Sequence, residues 1–261
     1  MDRSNIERIA QTPDDRMLLA KIWDKIHSGV RRNIPANSHF LTPRELELCR
    51  YLFGQQEGLF HFGGYGDAER NMLIYLPNYL DWDWLLTDDS PLICLRATFY
   101  ENDILSHRDF LGALMGSGIA RECIGDIFVG IGFCDFFVTS EIAPYIQQNL
   151  VAAGRVKLHI QQIPLSQVSI PQPKIQEIRD TVSSLRLDSV ISSGFRIARS
   201  LAAQHICAGK VSIDGLPCEK PDKSICAGMK ISVRGLGKIK LETVNGQTKK
   251  GRISVIIHRF V

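Results

Sequence analysis

The sequence predicts an α+β protein in three parts: an N-terminal α/β domain, a ferredoxin-like middle domain and a small basic C-terminal domain. Three observations carry this. Helix-period apolar stripes alternate with short strand-like runs. A central stretch reads strand, helix, strand, strand, helix, strand. Charge is also unevenly spread: residues 179–261 hold fifteen Lys/Arg against six Asp/Glu, or +9, so the remainder of this +3 chain carries −6. The expected boundaries are 1–89, 90–169, a linker over 170–178, and 179–261.

The first part opens with Met17, Leu18, Ile22, Trp23 and Ile26 at helical spacing, with Gly29 expected as the stop. Thr42-Pro43-Arg44-Glu45 reads as a helix start, with a hydroxyl cap, proline in the first turn and an early acid. That helix would bury Leu46, Leu48, Cys49, Leu52 and Phe53. Residues 59–62 and 72–76 are strand-like and flank Gly63-Gly64-Tyr65-Gly66. No lysine follows those glycines as a phosphate-binding loop requires, so a tight hairpin is the reading. Trp82 and Trp84 are expected to anchor the join to the next domain.

In the middle part, residues 93–99 form the first strand. Asp109 starts a helix whose Leu111, Leu114 and Met115 enter the core, leaving His107 and Arg108 exposed. Residues 126–139 make a hairpin, 141–152 a helix and 156–163 the last strand. This is also the topology of an RRM, yet the exposed pair of aromatics that stacks bases is missing. Phe133, Phe136 and Phe137 are assigned to packing. Residues 163–174, rich in Pro, Gln and Ser, read as a linker.

The C-terminal part begins with Leu185, Leu187, Val190 and Ile191 on one helix, ended by Gly194, and continues with Ile197, Leu201, Ala202 and Ile206, ended by Gly209. Val211 and Ile213 alternate with polar residues up to the Asp214-Gly215 turn, and Ile231 and Val233 alternate again. With the apolar positions inward, Arg186, Arg196, Arg199, Lys210, Arg234, Lys238 and Lys240 face solvent. A compact cationic surface of this kind suits structured RNA and grips phosphates rather than bases.

This segment resembles the small RNA-binding domain first named from ribosomal protein S-four. The likeness lies in the leucine-rich first helix, Arg199-Ser200 opening the second, Ala208-Gly209-Lys210-Val211 and Val233-Arg234-Gly235. Ala198 stands where a serine often precedes the arginine, Asp214 replaces an asparagine, and Met229 an aspartate. The resemblance implies RNA contacts from Arg186, Arg196, Arg199, Ser200, Gln204, Lys210, Arg234, Lys238 and Lys240. Further upstream, the run His107-Arg108-Asp109-Phe110-Leu111-Gly112-Ala113-Leu114-Met115-Gly116, with Gly118-Ile119, Gly125-Asp126-Ile127, Gly63-Gly64-Tyr65 and Ala68-Glu69-Arg70, resembles the YlmH family. That family is bacterial with chloroplast relatives. It implies a ribosome-associated factor binding large-subunit rRNA and tRNA during rescue of stalled nascent chains. His107 and Arg108 become candidates for a second RNA or ribosome contact. The stretch Val30-Arg31-Arg32-Asn33-Ile34-Pro35 resembles a photosynthetic branch connected with photosystem II, which implies an assembly or expression factor as the alternative.

Enzyme signatures fail. His107-Arg108-Asp109 opens a kinase catalytic loop, but Leu114 occupies the asparagine position and no D-F-G follows. No G-x-S-x-G, H-E-x-x-H or supported G-x-G-x-x-G occurs. The remaining catalytic alternative is an RNA-modifying enzyme, whose Arg-Leu-Asp motif would sit in a large catalytic domain. Here Arg186-Leu187-Asp188 lies within the binding domain itself. The seven cysteines form no C-x-x-C pair, and Cys207 and Cys226 read as buried residues rather than metal ligands. We expect no cofactor, no small-molecule substrate, no membrane insertion, a monomer and a cytoplasmic location, since the polar N-terminus lacks a signal peptide's apolar core.

Overall fold

Two proline-led helices, each started by a threonine, shape the beginning of the chain. In a computed structural model, which describes residues 3–172, 174–248 and 251–261, α1 (Asn5–Ile9) precedes α2 (Pro13–Arg32), β1 (Ala36–Leu41) and α3 (Pro43–Phe53). The Thr12 side chain accepts from Asp15 N while the Asp15 carboxylate accepts from Thr12 N. Thr42 and Glu45 repeat this reciprocal cap at α3. Helix α3 buries all five residues expected of it. In α2 the structure corrects two expectations. Leu19, not Leu18, joins Ile22 and Ile26 in the core, and Met17 is exposed. Gly29 does not end α2 but lies inside it, where a Cβ would come within 2.5 Å of Ala36 Cβ. The missing side chain lets helix and strand approach, and Asn33 (φ 54°) makes the left-handed stop.

Strands β2 (Leu59–Phe62) and β3 (Asn71–Tyr75) complete an antiparallel sheet in the order β1-β3-β2. Trp82 is largely exposed, edge-on to Phe60 and Phe62, while Trp84 packs on the core. The chain continues through β4 (Leu92–Thr98), α4 (His107–Gly116), β5 (Ile124–Val129), β6 (Phe133–Thr139), α5 (Ala143–Asn149), the β7–β8 hairpin (Ala152–Ala153, Val156–Lys157) and β9 (His159–Ile163). The sheet order β5-β6-β4-β9, antiparallel throughout, is the split βαβ arrangement. One face buries Leu95, Phe110, Leu114, Phe136 and Ile146 under α4 and α5. Helix α4 starts at His107 rather than Asp109, and Met115 is exposed, not core.

The other face is covered. Leu92, Cys94 and Phe137 share one cluster with Phe40, Phe62, Met72 and Ile74 of the first sheet. The two N-terminal parts therefore form one body, residues 1–171. The residues expected as linker begin inside it: Ser169 N donates to the Asp135 carboxylate and Arg96 to Gln167 O.

Residues 172–261 form the second body. Its strand β10 (Ile175–Val182) starts within the expected linker. Helices α6 (Leu187–Phe195) and α7 (Arg199–Cys207) follow, then β11 (Val211–Ile213), β12 (Leu216–Pro217), β13 (Lys230–Val233), β14 (Gly237–Gln247) and β15 (Ile253–Phe260). The six strands run β10-β15-β14-β13-β11-β12. Leu187, Val190, Ile191, Ala202 and Ile206 pack on Ile231, Val233, Ile239, Leu241, Val255 and Ile257. Gly194 again proves a packing glycine rather than a stop, since a Cβ there would meet Ile239 Cδ1 at 2.7 Å. The helix ends at Arg196, held left-handed at φ 54°. Leu201, Cys207 and Cys226 are exposed, against expectation. Asp214 and Gly215 both have positive φ, as the expected turn requires, and the Asp214 carboxylate accepts from Lys230 N. Among the described residues no helix is long and apolar enough to cross a membrane.

Candidate nucleic-acid interface

The second body organises its helical face around one buried carboxylate. Leu187 N and Asp188 N donate to Lys223 O and Pro221 O, which fixes the start of α6. This places Asp188, 5% exposed, beneath two guanidinium groups. Arg199 Nε and Nη2 reach its oxygens at 3.0 and 3.1 Å, and Arg186 Nε and Nη2 both at 3.3 Å. Burial alone would raise the Asp188 pKa, but the hydrogen bonds from Arg199 and Arg186 outweigh it and hold the carboxyl below its usual range. Each guanidinium carries five N–H donors, so both arginines keep donors to spare. Arg199 is exposed and Arg186 half-buried, so neither is the free surface cation that the sequence suggested.

The other expected contacts divide into two groups. Arg196, Ser200 and Gln204 are exposed at the end of α6 and along α7. The α7 cap is Ala198, with no side-chain hydrogen bond, as the departure at that position implies. Lys210 and Arg234, later in the chain than the Asp188 cluster, lie side by side where β11 begins and β13 ends, and Arg234 N donates to Lys210 O at 2.9 Å. Lys238 and Lys240 do not belong to this face. Ile239 and Leu241 point into the helix-covered core, so the alternation of the strand sends Lys238 and Lys240 to the opposite side of the sheet. There Lys240 pairs with Glu242 at 2.8 Å and lies across from Lys230 and His258. The expectation of one continuous basic surface is therefore corrected.

A recess of about 330 Å³ opens beside the Asp188 cluster, lined by β10, α6, the start of α7 and Arg252. Arg252 Nε donates to Thr181 Oγ1, and its Nη2 to Thr181 O. Sequence reading missed Asp188 and Arg252 as site residues. Asp188 gave a signal in the Arg-Leu-Asp run, whereas Arg252 gave none beyond its charge.

In the first body, His107 and Arg108 are exposed at the N-terminus of α4. The Asp109 carboxylate accepts from Ser106 N and Oγ at 2.7 Å, which explains the third member of the motif as a cap. Its pKa is lowered by those bonds from Ser106. The motifs around the glycines are structural too. Asp126 accepts from Tyr65 Oη at 2.7 Å and from the N–H groups of Glu69 and Arg70. Burial, reinforced by Asp126, pushes the Tyr65 hydroxyl pKa up. The half-buried Arg70 guanidinium donates to Ile124 O and Phe40 O. Gly64 (φ 97°) presses on Phe137, where a Cβ would come within 2.2 Å of the ring. The glycine-rich run is thus a staple across the body's two sheets.

These observations locate the chain's relatives. A family model described as "Putative RNA-binding domain in YlmH" matches residues 98–167, from the end of β4 past β9. The chain is 32% identical over 222 residues to the Ribosome-associated protein quality control protein P2 of Bacillus subtilis (strain 168), covering 84% of this chain and 85% of that protein. This chain belongs to the YlmH family. A solved structure, the Cell division protein ylmH from Streptococcus pneumoniae, is 18% identical, covers 60% of this chain and 95% of its own, and gives a TM-score of 0.48. Within the YlmH family match, the base-stacking face of the RRM-like sheet is largely closed by the N-terminal sheet. Of its aromatics, Phe136 and Phe137 are buried, and Phe133 lies half-buried under the Arg96 guanidinium at 4.9 Å. Among the described residues, no group of three or more His, Cys, Asp or Glu is placed to hold a metal ion.

Proposed function

We propose that this protein is a ribosome-associated RNA-binding factor that holds large-subunit rRNA and tRNA in place during quality control of stalled nascent chains, without catalysing a reaction. The observation that carries it is the helical face of the second body. One buried carboxylate pre-organises Arg186 and Arg199, with Arg196 exposed at the end of α6, while Lys210 and Arg234 add two exposed cations where β11 begins and β13 ends. Such a surface grips phosphates and neutralises several at once. The Bacillus subtilis relative, a ribosome-associated quality control protein by name, supports the ribosomal setting. The second body, an S-four-like module, faces rRNA in this reading. The first body supplies His107 and Arg108 as a secondary contact, since its sheet face is closed to bases.

The test is a pull-down of tagged full-length protein with sequencing of its RNA, beside the variant Lys210→Glu/Arg234→Glu. These two positions are preferred to Arg199, whose loss would also strand Asp188. Recovery of large-subunit rRNA and tRNA by the parent, lost in the variant, is the expected result. Recovery of messenger RNA alone, or unchanged recovery by the variant, overturns the reading.

A further inference from the structure

We infer that the recess beside Asp188 seats one RNA backbone phosphate with its ribose, Arg252 gripping the phosphate and Asp180 accepting from the ribose 2′-hydroxyl. The inference rests on the RNA-binding reading above and deepens it. Arg196, Arg199 and Arg252 all line the recess, against the single carboxylate of Asp180. Two of the three guanidiniums are already fixed, Arg199 by Asp188 and Arg252 by Thr181, each through two of its five donors. Fixed forks lose little further side-chain freedom when an anion arrives. The rest of the lining is mostly hydroxyl, so the site is suited to a polar guest.

The recess is too roomy for a phosphate alone, and its wall is not uniform. Asp180 Oδ2 accepts from Ser193 Oγ at 2.7 Å and Oδ1 from Thr181 N at 2.7 Å. A carboxylate has about four lone-pair sites, so acceptor capacity remains. A phosphate oxygen on that wall would be repelled, whereas a hydroxyl would be bound. The 2′-hydroxyl is the group that separates RNA from DNA. Arginines on one side and an acceptor on the other therefore match a ribose with its phosphate.

The experiment measures full-length protein binding to an RNA hairpin and to its DNA counterpart across a salt series. The parent chain is expected to prefer RNA. Arg252→Gln should weaken both ligands about tenfold, as loss of a charge-assisted bond does, and lower the salt slope by about one contact. Asp180→Ala should weaken RNA alone, narrowing the preference by roughly three- to tenfold. Arg196→Gln, in the same recess, covers any loss of folding in Arg252→Gln. The inference is overturned if both arginine variants bind like the parent, or if Asp180→Ala leaves the RNA-to-DNA ratio unchanged. Failure of the parent itself to bind structured RNA would overturn the broader reading as well.

Discussion

The two bodies use the same ion-pair chemistry to opposite ends. In the first, three arginines are spent inside the fold. Arg96 clamps the fully buried Asp135 at 2.6 and 2.7 Å, Arg44 clamps Asp15, and Arg70 donates to backbone carbonyls. In the second, Asp188 is also buried but serves two arginines, and both keep donors turned to water. The first arrangement closes a surface, and the second offers one. The difference follows from stoichiometry: one acid per arginine cancels charge, while one acid per two arginines leaves an oriented excess.

The comparison can be broken most forcefully at Asp135. Asp135→Ala should destabilise the first body by about 3–5 kcal/mol, since it strands Arg96 beside a buried site and also removes the acceptor of Ser169 N. Denaturant unfolding checks this, and a loss under 1 kcal/mol would contradict the clamp.

Asp188→Ala should cost less, about 2 kcal/mol, because the released arginines regain water. Its signature would be weaker RNA binding by the still-folded protein, because Arg186 and Arg199 are no longer held. The same group sets a pH dependence. Asp188 is depressed in the folded state, so its contribution is fully present above the ordinary carboxylate pKa of about 3.9 and is lost as pH falls through the lower folded value. Unfolding curves of the parent and Asp188→Ala should therefore converge under acid conditions.

Lys210→Glu/Arg234→Glu sharpens the contrast from the other side. The melting temperature should stay within a degree or two of the parent's, while RNA affinity drops by about a hundredfold and the salt slope flattens. The smallest effect belongs to His107→Ala/Arg108→Ala, with no change in stability and about a threefold loss of ribosome co-sedimentation, as for exposed contacts at a rim.

Local sequence rules settled much of this protein. The Thr42 cap with its acid three residues on, the Asp214-Gly215 turn, the order of elements in the RRM-like sheet and the charge break near residue 179 depend on neighbours within a few positions. Those are the interactions that sequence periodicity encodes. Gly29 and Gly194 were misread as stops for the same reason: locally a glycine looks like an end, and only the strand packed against it shows that it permits close approach.

Tertiary structure alone decided which surfaces exist. The RRM-like face is legible as a sheet, yet its closure depends on Phe40, Met72 and Ile74, which lie far off in sequence. The basic residues were all visible, but their division between two faces follows from strand alternation against the core, and the tether of Arg199 to Asp188 from the packing of α6 on α7. Composition fixes how much charge a chain carries. Long-range packing decides which charges are consumed and which are presented, because a side chain's partner is chosen by distance in space and not by separation along the chain.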